Sequence, residues 1–363
     1  MQRTFMICMA VAFMGISFPR EGNTCTTFLK EGGGALLVGK SYDWHLGQGM
    51  VVANKRGVKK TAVRFKPTDQ PAKWVSRYAS ITFNQVGREF PNGGMNEAGL
   101  VVEVMWLNQS SYPVVDRRPS LNELQWIQYQ LDRFGSVAEV VANAKSLRVA
   151  KIYGSVHYLV CDKSAACAAF EYLKGKLEIS AGKAMPTKTL TNNTYAESRE
   201  YYNRVFSAKK AVRVPRGAGS LERFARASAE VRTGGSTPER AFQVLDSVSQ
   251  GEYTKWQIVY DLKRLEVYFR THRQRTVKKL RLKAFSGACS EKVRAISIDH
   301  STAGDISKSM PAYKSKDNLA LFKSVTKGLN IPATAEQTRL FAYYPESLPC
   351  VVQHSRNKRG DAF

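Results

Sequence analysis

Cys25 is the side chain whose position in this sequence most suggests a nucleophile. It directly follows a segment that reads as a removable leader, and a cysteine that becomes residue one carries a nucleophile and a base in one amino acid. The thiolate is the reactive form, and a free α-amino group titrating near about 7.7–8.0 can take the thiol proton at neutral pH. Downstream, Gly39-Lys40-Ser41-Tyr42-Asp43-Trp44 offers a cation and a carboxylate. If that run returns beside residue 25, Asp43 would orient the α-amino group and Lys40 would favour the thiolate. Taken singly, Cys25 is equally a small residue after a leader, and Lys40 and Asp43 are equally surface charges.

For these groups to meet, the chain around Cys25 has to be sheet. Residues 26–30 and 35–43 are β-prone runs joined by Glu31-Gly32-Gly33-Gly34, a turn of the kind that closes hairpins. Further strand-like runs lie at 61–65, 80–84 and 100–106, the last entered from Asn92-Gly93-Gly94. Ser120 and Glu123 have capping-box spacing, and Leu121, Leu124, Trp126, Ile127 and Leu131 recur at helical intervals up to Gly135. Ser136 caps a second helix to about residue 144. Strands are expected again at 158–161, 165–173, 177–180, 256–262, 265–271 and 277–282, and helices at 197–207 and 238–247. The pattern reads as an α+β fold in a single domain over residues 25–363, with 357–363 a loose tail.

The leader sets the compartment. Arg3 is followed by an uncharged run from Thr4 to Phe18 and then a polar stretch to Thr24. That is the layout of a secretory signal peptide, and it is too short to span a bilayer. Residues 1–24 are therefore expected to be removed and the remainder to be periplasmic or secreted; a buried N-terminal helix is the alternative. Gly22 and Thr24 do not fit the residues that precede a lipid-anchored cysteine. Of six cysteines, at 8, 25, 161, 167, 289 and 350, five survive removal of the leader, so one thiol is left over. Cys161 and Cys167 flank a hairpin-like Asp162-Lys163-Ser164 and could form a disulfide or stay as two buried thiols.

The chain of 363 residues is 43% hydrophobic and 23% charged, with a formal net charge of +25. That composition supports a packed core and excludes a disordered or collagen-like chain. Nine Lys or Arg against Glu266 fall between Lys263 and Lys283. In an exported protein this stripe could contact an anionic envelope surface or steer anionic substrates, or it is a solvated face. Nucleic acid is not the expected partner of an exported chain. His45, His157, His272, His300 and His354 are scattered without zinc-site spacing, and no phosphate-cradling loop is present, so neither a metal nor a cofactor is expected.

Cys25-Thr26-Thr27-Phe28 followed by G-K-S-Y-D-W resembles the N-terminal signature of choloylglycine hydrolases and penicillin V acylases, amidases of the N-terminal-nucleophile superfamily. Further motifs keep the family's order: G-M-N-E-A-G-L at 94–100, Leu190-Thr191-Asn192, S-L-E-R-F at 220–224 and the hairpin at 254–271. The resemblance covers nearly all of residues 25–285 and implies a four-layer αββα sandwich of antiparallel sheets. It implies Cys25 as nucleophile with its α-amine as base, Asp43 orienting that amine, Asn192 holding the substrate carbonyl or oxyanion, and Arg223 as electrostatic support. Two departures stand out. Lys40 occupies a position usually held by Arg and cannot reproduce a planar fork. Trp106 falls where bile-salt hydrolases carry a catalytic Asn, which resembles the Gram-negative branch; Asn108 lies two residues on.

Tyr42, Trp44 and Trp106 flank the expected catalytic strands and could wall a bulky or aromatic acyl pocket, or pack as core. The expected substrate is a non-peptide linear amide, penicillin V or an N-acyl homoserine lactone first and a conjugated bile salt second. Similar proteins are commonly tetramers or dimers. The alternative is a basic envelope-surface binding protein on the same scaffold with little or no turnover, which Lys40 keeps open.

Overall fold

The computed structural model describes residues 25–207 and 217–351. The expected leader at 1–24 and loose tail at 357–363 lie outside the described residues. Two large sheets carry the architecture. In the first, Thr26–Gly32 lies between Thr189–Leu190 and Ala35–Asp43, and the order continues through Thr254–Asp261, Glu266–Thr271, Lys278–Arg281 and Gly304–Asp305. The second runs Lys176–Ala181, Cys167–Leu173, Val156–Cys161, Val101–Trp106, Gly93–Asn96, Ser80–Asn84, Met50–Asn54 and Arg294–Ser297.

Alternating side chains divide each central strand between two cores, because successive residues point to opposite faces. Leu29, Val38, Ile258 and Tyr260 from one sheet meet Phe83, Val101, Met105 and Leu159 from the other. The outer face of the first sheet, with Phe28, Leu37 and Val259, is covered by helices Ser220–Glu230 and Pro238–Ser247. The outer face of the second, with Val102, Val104, Tyr158 and Phe170, is covered by Glu123–Arg133 and Val137–Asn143. The layers are thus helix, sheet, sheet, helix, the expected αββα sandwich.

The hairpin expected at the start of the domain forms. Gly33 and Gly34 take left-handed φ values of 54° and 80° in its turn, and the register pairs Thr26 with Ser41 and Thr27 with Lys40. Two local expectations need correction, and three elements come in addition. Helix Glu123–Arg133 is capped by Asn122, whose side chain accepts from the Leu124 and Gln125 amides; Ser120 is instead in a short strand paired with Arg148. Asn is as good an N-cap as Ser and sits one residue from the first helical position. The strand expected at 61–65 is the shorter Lys59–Thr61, paired with Lys73–Val75 outside the main sheets. The central strand Met50–Asn54 and the helices Ser315–Gly328 and Ala335–Tyr343 were not expected from sequence. Met50–Asn54 is buried on both faces, so it lacks the alternation that marks a half-exposed strand.

Cys161 and Cys167 form the open disulfide candidate, and Cys289 with Cys350 forms a second bond that spacing did not suggest. The leftover thiol is Cys25. The basic stripe is largely neutralised locally. Arg264, Arg270, Arg273, Lys279 and Arg281 pair with Asp261, Asp246, Asp299, Glu266 and Asp305, and Lys278 is buried. No described helix is long and apolar enough to cross a membrane.

Candidate active site

Cys25 stands one residue before the Thr26–Ser41 pair, inside the sandwich, with its Sγ 3.9 Å from the Asp43 carbonyl oxygen. Burial pushes the thiol above its ordinary range, and the charge of Lys40 pulls it back most strongly, followed by the Asp43 backbone contact and Arg223; the Asp43 carboxylate adds to the rise.

Asp43 ends its strand fully buried. Its Oδ1 accepts from Ser41 Oγ at 2.7 Å and from Thr254 Oγ1 at 2.6 Å, while Oδ2 has no protein partner. Burial raises this carboxyl, and Arg223, Thr254, Ser41 and Lys40 oppose the rise. Thr254 reaches it because the pairing between Ala35–Asp43 and Thr254–Asp261 shifts register between Thr254 and Trp256, an irregularity of the kind that re-aims a side chain.

Arg223 is the hub of the constellation. Its Nη1 donates to Cys25 O at 2.8 Å and Thr26 Oγ1 at 2.7 Å, its Nη2 donates to Asn192 Oδ1 at 3.1 Å, and its Nε donates to Ala218 O at 3.1 Å. Asn192 in turn donates through Nδ2 to the Trp106 carbonyl at 2.8 Å. A primary amide has two N–H donors, so this geometry leaves one that can meet a developing oxyanion.

Lys40 points between the sheets, where its ammonium donates to Val104 O and faces Glu103 Oε2 at 3.8 Å. Tyr260 donates to Glu103 Oε1 at 2.5 Å, and burial raises the Glu103 carboxyl to about 7 against the pull of Lys40. Glycine at 93 is what leaves room, since a Cβ there would sit 2.3 Å from the Glu103 carboxylate. The ammonium of Lys40 therefore faces a buried carboxyl of its own across the sandwich.

The aromatic residues divide. Tyr42 is buried, stacks on Trp256 at 4.3 Å and donates to Gln85 Oε1 at 2.8 Å, yet it is close enough to Cys25 to feel its charge. Trp44 and Trp106 lie 5.5 Å apart in a row that continues to His45 and Tyr253 on one side and to Tyr153 on the other. Trp44 Nε1 is buried without a partner, and Trp106 Nε1 donates to Asn108 Oδ1 at 2.7 Å. The structure thus brings Cys25, Lys40, Asp43, Asn192, Arg223, Tyr42, Trp44 and Trp106 into one region. Sequence reasoning missed Thr254, Glu103, Tyr153 and Tyr253, none of which carries a local signal. Among the described residues, no group of three or more His, Cys, Asp or Glu is placed to hold a metal. A buried thiol, a carboxylate with a spare oxygen, a buried guanidinium and an amide donor form a set suited to acyl transfer.

The sequence model of the linear amide C–N hydrolases, choloylglycine hydrolase family, matches residues 25–243. The chain belongs to the choloylglycine hydrolase family. A penicillin V acylase of Pectobacterium atrosepticum is 28% identical over 177 residues, which are 44% of this chain and 46% of that relative. The match thus spans about half the length of that curated relative. The solved penicillin V acylase of Agrobacterium tumefaciens superposes with a TM-score of 0.71 at 26% identity, covering 80% of this chain and 98% of its own. A conjugated bile acid hydrolase variant from Clostridium perfringens gives a TM-score of 0.65 at 16% identity over 77% and 98% of the two chains, which speaks to fold alone.

Proposed function

We propose that this chain is an exported linear-amide C–N hydrolase, processed to Cys25, that works through an acyl-thioester. The observation that carries this reading is the unpartnered Oδ2 of buried Asp43 beside a free buried cysteine. A lone carboxylate oxygen in a dry site is costly unless a donor reaches it, and an α-amine released at residue 25 is the donor that the chemistry requires. The amine takes the thiol proton, sulfur attacks the amide carbonyl, and the second Asn192 N–H meets the oxyanion. Collapse breaks the C–N bond and the leaving amine takes the proton. Water, deprotonated by the same α-amine, then releases the carboxylic acid and restores the thiol. Arg223 holds Cys25 and Asn192 in register throughout, and Lys40 favours the thiolate from a distance.

The substrate reading places penicillin V or an N-acyl homoserine lactone first and a conjugated bile salt second. Two relatives named as penicillin V acylases support the first choice, as does the Trp44–Trp106 row, which suits a bulky or apolar acyl group. Periplasmic or secreted location rests on the leader pattern. The test is intact mass and N-terminal sequence of the exported protein before and after brief exposure to penicillin V with acid quench. The expected product begins at Cys25 and gains the phenoxyacetyl mass. A chain that retains residues upstream of Cys25 overturns the mechanism, and a correct start without adduct or turnover favours a binding protein on this scaffold.

A further inference from the structure

We infer that His157 and Glu171, which lie in the opposite sheet from Cys25, form a positioning pair that fixes Asn192. His157 belongs to Val156–Cys161 and Glu171 to Cys167–Leu173, where they are cross-strand neighbours one step beyond the Tyr158–Phe170 pair. Both are buried. The imidazole reaches across the sandwich to the other sheet: Nε2 lies 2.7 Å from the Thr191 carbonyl and Nδ1 lies 2.9 Å from Glu171 Oε1. A carbonyl oxygen only accepts, so Nε2 carries the donated hydrogen.

The same Glu171 carboxylate accepts the Tyr195 amide, at 3.0 Å through Oε1 and 3.2 Å through Oε2. Tyr195 opens helix Tyr195–Ser207, an end where free amides favour a carboxylate. One His–Glu unit therefore grips the chain on both sides of Asn192, at the carbonyl before it and at the amide three residues after it.

Such a grip is needed because the ladder stops short. The Thr189–Leu190 strand has only two residues, and its last pair is Leu190 with Thr27. Beyond Leu190 no sheet hydrogen bond fixes the backbone. The Asn192 amide donates to Ser220 Oγ at 2.8 Å, and its side chain is shared between Arg223 and the Trp106 carbonyl. The two side-chain contacts aim the carboxamide, whereas His157 and Glu171, on either side of the Ser220 contact to the Asn192 N–H, hold the backbone from which it projects. A displacement of about 1 Å in a catalytic group can cost on the order of a hundredfold in rate.

This inference rests on the reading of Asn192 as the oxyanion donor. The experiment is a double-mutant cycle on the processed protein with penicillin V as substrate, using H157A, H157Q, N192A and H157A/N192A, with Cys25 alkylation by iodoacetamide measured alongside. H157A is expected to lower kcat by roughly 10–100-fold with KM changed by less than about threefold. The alkylation rate should stay within about twofold of wild type, which general misfolding would not permit. H157Q, whose amide N–H can also meet the Thr191 carbonyl, should recover most of the turnover. In the N192A background, loss of His157 should cost nothing further. If N192A loses turnover while H157A does not, or if the double variant is much slower than N192A, the positioning pair is overturned and the amidase reading stands. If N192A retains full turnover, or the wild type is inert to penicillin V and to N-phenoxyacetyl amides, the reading beneath it fails.

Discussion

Opposing forces act on the Cys25 thiol: burial disfavours the thiolate, and Lys40, Arg223 and the Asp43 backbone favour it. Burial is the larger, so alkylation of Cys25 by iodoacetamide should keep rising with pH beyond the range where an exposed cysteine levels off. Removing the strongest opposing cation, as in Lys40→Met, should slow alkylation at pH 8 by about tenfold, while Lys40→Arg should stay near wild type. Mass-spectrometric labelling rates read both variants, and an unchanged K40M profile would remove Lys40 from the electrostatics of the Cys25 thiol. Thr254 tests the carboxylate side. Thr254→Val deletes the 2.6 Å donor to Asp43 Oδ1 and keeps the shape. It should cost about 1–3 kcal/mol in urea unfolding and reduce turnover, because Oδ1 of the buried carboxylate then keeps only the Ser41 hydroxyl as donor.

The hairpin that delivers Cys25 to Lys40 and Asp43 depends on a close approach between its two strands. A Cβ at Gly39 would meet three Phe28 ring atoms at 2.3–2.9 Å, and Phe28 is fully buried beneath helices Ser220–Glu230 and Pro238–Ser247. Gly39→Ala should therefore destabilise the fold by about 1–3 kcal/mol, seen as a lower urea midpoint with an unchanged slope. The strand was legible in sequence because its glycine turn and β-prone run are local signals. The register irregularity at Thr254 was not, since it arises from how two strands distant in sequence pair.

At the scale of the molecule, one buried carboxyl and one long-range disulfide shape stability. Glu103 has its folded-state carboxyl raised to about 7 from 4.5, so the native state holds its proton more tightly than the unfolded chain. That contribution is complete below pH 4.5 and disappears as pH rises through 7, by an amount on the order of 3 kcal/mol. Glu103→Gln removes the titration. Its Tm relative to wild type should therefore move upward between pH 5 and pH 8, and a constant difference would exclude the effect. Cys289–Cys350 closes a loop with a sequence separation of 61. Replacing both with Ser should lower stability by roughly 2–4 kcal/mol in urea unfolding, while leaving the Cys25 alkylation rate unchanged.

Local signals were enough for the first strands, the order of motifs, the α+β class and the hairpin that brings Lys40 and Asp43 beside Cys25, because a turn, an alternating run or a short motif is written in neighbouring residues; the αββα layering followed from the family resemblance. The odd cysteine count even implied a free thiol, although not which one. Tertiary structure alone decided that Cys289 pairs with Cys350, that Glu103 and Tyr260 serve Lys40, and that five stripe cations are neutralised by nearby carboxylates. It also decided that Tyr42 is packed while Trp44 and Trp106 form an aromatic row, and that His157 reaches across the sandwich to the Thr191 carbonyl. Each of these depends on which faces of two sheets meet, and facing sheets bring together residues whose spacing along the chain carries no trace of the contact.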